Sequence, residues 1–345
     1  MRITGKVLHQ ISLDRFSKIV LRIHTKINYK SRLAQGFNHS KFKMNKVNLF
    51  IVGAPKCGTT AFSEYISTHP DIKVSSPKEP YFFCKDFKIL ISQPQCSWKN
   101  IEHYHKSCYG PELYTHKIIC DATVWNLYSE VAAAEMISYN PDAKFLVMLR
   151  NPVDMIYSLH SMYVGLGFED VRDFRKAFSL QDQRTLGKYL PESSVAKLDP
   201  DLLCYGNIGM IGKQLERLYQ TVPKKQVKVI FFEDFSCSPL EIYSDILSFL
   251  GLPHDGRETF SRINSQRKIR SHFLINLYQS QSLRKYAQVL KKVLHIQSFG
   301  FGIAKPPMPP EVRKFLLDFY KEDILKLSEL TNRSLKHWFT ESTKA

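Results

Sequence analysis

The stretch Phe50-Ile-Val-Gly-Ala-Pro-Lys-Cys-Gly-Thr-Thr60 constrains this chain more than any other feature. An apolar run, Val47–Val52, ends in Gly53 and reads as a buried strand that feeds a loop. Thr59 to about Thr68 then reads as a helix, closed by His69-Pro70-Asp71. Strand, glycine-bounded loop and helix form the context in which backbone N–H groups cradle an anion. A phosphate loop reads G-x-x-x-x-G-K-[ST], with its lysine directly after the second glycine. Gly53, Gly58 and Thr60 fit that frame, but Thr59 stands where the lysine belongs and Lys56 lies three places earlier. A lysine inside the loop reaches the group attached to the first phosphate, not the far end of a triphosphate. The spacing points to a nucleotide whose reactive group sits close to its 5′-phosphate. The bland alternative is a glycine-rich turn without a ligand; Lys56, the paired threonines and the flanking strand and helix weigh against it.

Further strands and helices alternate along the chain. Lys117–Cys120 is a second short apolar run, and Leu127–Ser138 has helical spacing stopped by Asn140-Pro141. Lys144–Leu149 (KFLVML) is the clearest buried strand; Asn151 is placed to cap the next helix, with Pro152 at its first position. Val227–Phe232 is another strand, and Ser238-Pro-Leu-Glu241 combines a capping box with a proline at the first helical position, Gly251 ending that helix. Ser193 to Asp201 reads as a surface loop, and Glu311 to about Leu330 as a long helix. The alternation predicts an α/β chain: a three-layer fold of the P-loop type, with a central parallel β-sheet flanked by helices and a helical C-terminal part.

The formal net charge is +17 over 345 residues, and it is uneven. Residues 1–46 carry eleven Lys or Arg against one acid, Asp14. Phe16, Ile19, Val20, Ile23 and Ile27 fall at helical spacing within that arm, which reads as a solvated basic extension over 1–45, an organelle transit peptide or a weak membrane-surface contact. A start at Met44 is a further reading, since the first strand follows at once. No DNA- or RNA-binding pattern accompanies the basicity, so no nucleic-acid partner is expected. No run approaches eighteen apolar residues, and a soluble cytoplasmic protein is expected. Seven cysteines without C-x-x-C spacing read as reduced thiols rather than a disulfide framework or a zinc site.

The loop resembles the 5′-phosphosulfate loop of sulfotransferases, enzymes that use 3′-phosphoadenosine 5′-phosphosulfate (PAPS). The family pattern P-K-x-G-T-T is present as Pro55-Lys56-Cys57-Gly58-Thr59-Thr60. The second family element, a strand ending in arginine with N-P or D-P after it and a serine eight residues on, is present as Arg150, Asn151-Pro152 and Ser158. In the family this arginine and serine hold the nucleotide's 3′-phosphate, and a guanidinium suits that dianion. Phe231–Pro253 looks like the family's strand, acidic turn and helix ending in F-L-G-L-P, and the segment 311–338 like its C-terminal helix and final tryptophan. Asn264 to Ser271 loosely matches a family loop near the cofactor, which would bring Lys268 and Arg270 to the 3′-phosphate or adenine. The resemblance spans about residues 47–338 and implies one sulfotransferase domain over 46–340.

Sulfuryl transfer to a hydroxyl or amine needs a base beside the acceptor and positive charge on the leaving phosphate oxygen. Glu79, in Ser76-Pro-Lys-Glu-Pro-Tyr-Phe-Phe83, matches a K-E-P-x-F-F setting in which carbohydrate sulfotransferases, the heparan sulfate branch included, carry their general base. The resemblance thus implies a carbohydrate acceptor, with Glu79 taking its proton, Lys56 stabilising the departing phosphate, and no metal required. His103 and His105 are rival bases, and Asp121 is an alternative base or an acceptor-steering group. Val124 stands where relatives have a proline and Ala122 where heparan-type enzymes have a lysine, which weakens a heparan-type specificity. Met162 to Leu190 would line the acceptor cleft by analogy, and Lys78 would orient a sulfate or a substrate anion. Two other classes stay open: a small-molecule kinase using Mg-ATP, for which Phe231-Phe-Glu-Asp234 is the weak Walker-B candidate, and a non-catalytic nucleotide- or membrane-binding module.

Overall fold

A computed structural model describes residues 45–87, 98–191, 199–260 and 306–340. Five strands, β1 (Leu49–Gly53), β2 (Ile72–Val74), β3 (Ile118–Asp121), β4 (Lys144–Leu149) and β5 (Val227–Phe231), form one sheet in the order β2-β3-β1-β4-β5. Every pairing is parallel. All five residues of β1 are buried, as are all of β4 after Lys144, which is what a sheet covered on both faces requires. The α-helices of six residues or more among those described are α1 (Thr59–Ile66), α2 (Ile101–Cys108), α3 (Ala132–Tyr139), α4 (Pro152–Leu166), α5 (Phe174–Ser179), α6 (Ile211–Thr221), α7 (Phe232–Cys237), α8 (Pro239–Leu250) and α9 (Pro310–Thr331). Among the described residues no helix is long and apolar enough to cross a membrane.

The expected α/β architecture holds. From β1 the chain crosses toward β2, and from β4 toward β5, so the connections diverge between β1 and β4. In such sheets the crevice beyond the strands' C-terminal ends at that divergence is where ligands bind. The phosphate-type loop leaves β1 there and Arg150 leaves β4 beside it.

Several local expectations needed correction. The helix read over Leu127–Ser138 runs from Ala132 to Tyr139. Its first residues are held elsewhere: Leu127 N–H donates to Val52 O at 2.8 Å, and Arg217 Nη2 donates to the carbonyls of Leu127, Tyr128 and Ser129. Those carbonyls are satisfied by a residue about ninety positions away instead of by helical N–H groups. Strand β5 stops at Phe231, and α7 follows without a break. Ser238 precedes α8 but its side chain makes no cap; its own N–H is already spent on Asp234 O, closing α7 at 2.8 Å. Pro239 and Gly251 (φ +74°) bound α8 as read. Of the loop read over Ser193–Asp201, the described end enters a 3-10 turn, Pro200–Leu203, that buries Leu202 and Leu203.

Helix α6 has no cap of its own. Asp323 of α9 supplies one, accepting from Gly212 N–H at 2.7 Å and Lys213 N–H at 2.9 Å. Burial raises the pKa of that carboxyl while the two amides lower it. The C-terminal helix is thereby tied to the core by a charge as well as by its buried face of Val312, Leu316, Tyr320, Ile324 and Leu327.

Candidate active site

The loop after β1 is held open by its own backbone. Gly53 has Val124 O and Leu127 Cβ each 2.8 Å from where a Cβ would stand, so no larger residue fits the exit of the strand. Gly58 takes the left-handed conformation (φ +85°) as the N-cap of α1. A Cβ on Gly58 would also lie 3.1 Å from Phe232 Cδ2. Helix α1 has no acidic residue in its first turn, and its first internal bond is Phe62 N–H to Gly58 O. The amides that open the helix therefore have no intrahelical acceptor and point out of its positive end. Thr59 is buried, and Thr60 is partly exposed.

Lys56 lies within this loop in a left-handed conformation (φ +62°). Such backbone is uncommon outside glycine and collects at functional sites. Its Nζ is 3.6 Å from Met162 Sδ of α4. Arg150, at the end of β4, reaches Lys56 O at 3.5 Å and places its guanidinium 4.6 Å from the centre of the Phe232 ring. Burial and then the Arg150 charge hold the Lys56 pKa below its ordinary value. No ion pair to Arg150 or Lys56 occurs among the described residues, so two neighbouring cations face each other without a neutralising acid. Cys57 between them is buried, and burial pushes its thiol up to about 12. The six described cysteines are free thiols.

Asn151 caps α4 as read, its Oδ1 accepting from Val153 N–H at 3.0 Å. Its Nδ2 donates to Trp338 O at 3.0 Å, which fastens the C-terminal segment beside Arg150. Ser158 sits on a partly exposed position of α4, two turns from Arg150. Asn264, Lys268, Arg270 and Ser271 lie outside the described residues.

Glu79 follows β2 in a turn with two left-handed residues, Glu79 (φ +60°) and Tyr81 (φ +59°), on either side of Pro80. Its carboxylate accepts from Lys78 Nζ at 2.9 Å on Oε1 and from Tyr81 OH at 3.0 Å on Oε2, and a quarter of the side chain, 26%, stays exposed. Lys78, read as a substrate-orienting group, is here the ion-pair partner of Glu79. Glu79 is among the charges that raise the pKa of Lys56 and of Tyr163, which places the loop, the carboxylate and α4 around one space. Tyr163 is buried and, after burial, Glu79 is the largest influence lifting its hydroxyl.

The rival bases are placed otherwise. Asp121 is fully buried and accepts from Thr123 N–H at 3.0 Å, Thr123 Oγ1 at 2.7 Å and Tyr104 OH at 2.6 Å. It has a hydrogen-bonding role within the protein and no exposure to an acceptor. His105 is buried against Tyr139 OH at 2.8 Å, and burial lowers its pKa to about 4. His103 takes the N–H of Lys99 at 3.3 Å. None of these bonds involves Glu79. The kinase candidate Asp234 sits inside α7, not at the end of a strand, and Arg333 grips both of its oxygens, which lowers its pKa.

Sequence reasoning missed Thr123 and Phe232 as parts of this site, while Met162 and Tyr163 fall inside the Met162–Leu190 segment expected to line the acceptor cleft. Tyr81 and Phe232 lie inside motifs already singled out, KEPYFF and FFEDF, so their positions were legible although their contacts were not.

A strained loop at the C-terminal edge of a parallel sheet, two cations without an ion-pair partner among the described residues, and a carboxylate in the same space point to a nucleotide-dependent group transferase. The match to a family model narrows this: the sulfotransferase domain model covers residues 46–330, and the chain belongs to the sulfotransferase family. The bifunctional heparan sulfate N-deacetylase/N-sulfotransferase 4 of Mus musculus is 23% identical over 288 residues, covering 82% of this chain and 30% of that protein. The heparan sulfate glucosamine 3-O-sulfotransferase 3B1 of Mus musculus is 24% identical over 283 residues, covering 82% of this chain and 63% of that protein. The chain thus spans under a third of the first relative's length and under two thirds of the second's. A crystal structure of a sulfotransferase from Alicyclobacillus acidocaldarius superposes with a TM-score of 0.62 at 26% identity, covering 86% of this chain and 99% of that one.

Proposed function

We propose that this chain transfers the sulfuryl group of PAPS to a hydroxyl or amine of a carbohydrate acceptor, with Glu79 as general base and residues 46–340 as the catalytic unit. The observation that carries the reading is the Lys56–Arg150 pair, two adjacent cations beside a loop of outward amides and without an ion-pair partner among the described residues. Such a site favours a dianion over any neutral ligand. Bound PAPS supplies a sulfuryl group carried on a phosphate leaving group. Pro55, Lys56, Cys57, Gly58, Thr59 and Thr60 hold its 5′ end, and Arg150 with Ser158 holds the 3′-phosphate. Lys56 offsets the negative charge that gathers on the leaving oxygen, and Glu79 takes the acceptor's proton. The two named relatives act on heparan sulfate, which supports a sugar acceptor here.

The first test is thermal stabilisation by adenosine 3′,5′-bisphosphate, compared with ADP and Mg-ATP. Ligand at about 100 times its dissociation constant adds roughly 2.7 kcal/mol. A shift with the bisphosphate is expected, weakened about 10- to 100-fold in affinity by Arg150→Ala, the loss of a charge-assisted contact. A shift with Mg-ATP alone would sink the reading.

The same complex has a proton signature. Burial and Arg150 favour neutral Lys56 in the free protein, so its pKa lies below 10.5. A bound dianion reverses that preference. Bisphosphate binding at alkaline pH, below 10.5, is therefore accompanied by net proton uptake, since the phosphates are already fully ionised there. Calorimetry in buffers of different ionisation enthalpy reads the uptake, and Lys56→Met removes it.

A further inference from the structure

The turn that carries Glu79 is anchored by a relay that starts in the core. Fully buried Asp121 at the end of β3 fixes the hydroxyl and N–H of Thr123. Thr123 Oγ1 in turn accepts from Tyr81 N–H at 3.2 Å. On the other side of the same turn, Trp98 Nε1 donates to Pro80 O at 2.7 Å. The backbone around Pro80 is therefore held from two directions, and both flanking residues keep left-handed conformations that cost energy elsewhere. Held this way, Tyr81 delivers its hydroxyl to Glu79 Oε2 at 3.0 Å.

We propose that Tyr81, anchored through Thr123 to Asp121, is a positioning residue that sets the direction of the Glu79 carboxylate. The inference rests on the reading of Glu79 as the base. The Tyr81 hydroxyl remains protonated and available to donate, because burial first and the Glu79 charge second raise its own pKa well above the ordinary value. Among the described residues, the groups that act on Glu79 include Lys78 and Tyr81 of its own segment, Lys56 of the loop, Asp121 of β3, Cys84, and Tyr163 of α4. Lys78 is fixed on the other carboxylate oxygen, and Tyr81 supplies a neutral donor beside it.

Hydrolysis of PAPS tests this without knowledge of the acceptor. Water's oxygen forms the new bond to sulfur, the bond from sulfur to the phosphate oxygen breaks, its electron pair stays on the phosphate, and water's proton goes to Glu79. Bisphosphate release is measured for the parent chain, Tyr81→Phe, Thr123→Val and Glu79→Gln, with thermal stabilisation by bisphosphate as the check that each variant is folded. Tyr81→Phe is expected to lower kcat about tenfold while KM for PAPS stays within about twofold. Thr123→Val lowers kcat in the same way, and bisphosphate affinity stays within about twofold. If Glu79→Gln slows hydrolysis while Tyr81→Phe leaves kcat unchanged, the positioning role is wrong and the base assignment stands. If Glu79→Gln releases bisphosphate as fast as the parent chain, the base assignment fails and the positioning role with it.

Discussion

Replacing Glu79 by glutamine lowers sulfuryl transfer by about 10²–10⁴-fold, the range typical of a positioned base, and leaves bisphosphate binding close to that of the parent chain. The amide has the shape of the carboxylate and still accepts from Tyr81 OH, but it cannot take a proton. Rates of bisphosphate release with carbohydrate acceptors, set beside thermal shifts with bisphosphate, separate the two effects. A variant that binds normally and turns over at the parent rate removes Glu79 from the mechanism.

The second large effect lies away from the loop. Arg184 and Glu169 form an ion pair with both side chains 0% exposed, Nη1 to Oε2 at 2.8 Å and Nη2 to Oε1 at 2.8 Å. Tyr205 OH and Val171 N–H also donate to the carboxylate, each at 2.9 Å, and Arg184 reaches Leu203 O at 3.3 Å. The pair ties together the described start, middle and end of residues 169–205, of which Phe174 and Tyr205 pack onto His160 of α4. Arg184→Met strands a buried carboxylate and is expected to cost about 3–5 kcal/mol. For a chain of this size the midpoint of thermal unfolding falls on the order of 10 °C. Adding Glu169→Gln to the same chain removes the stranded charge and recovers most of the loss. A double variant no more stable than Arg184→Met would show that the guanidinium's carbonyl contacts, not the charge pair, hold this region.

The elements that were legible in the sequence are those written in local chemistry. Gly53 and Gly58 announced a loop because only a residue without Cβ tolerates their surroundings. Asn151-Pro152 announced a helix start because cap and proline act within two residues. Strand β4 was legible since five apolar residues between Lys144 and Arg150 have few other uses. What stayed hidden depends on partners far along the chain. The late start of α3 follows from Arg217 taking three carbonyls. The three-residue β2 has too little pattern to be seen alone. Asp121 read as a possible base because a carboxylate in a motif looks the same whether water or Thr123 and Tyr104 surround it. Ser238 carried the letters of a capping box, but α7 ended on the amide next to it.

Phe232 has a consequence for how chains of this kind diversify. One ring backs Gly58 on the 5′ side of the proposed nucleotide and carries the guanidinium of Arg150 on the 3′ side. The two phosphate grips are therefore not independent parts. A smaller residue at 232 would slacken the helix start and release the arginine in a single step, and a larger one would push into both. Neither end can be retuned alone, so substitutions at 58, 150 and 232 are constrained to arrive together or not at all.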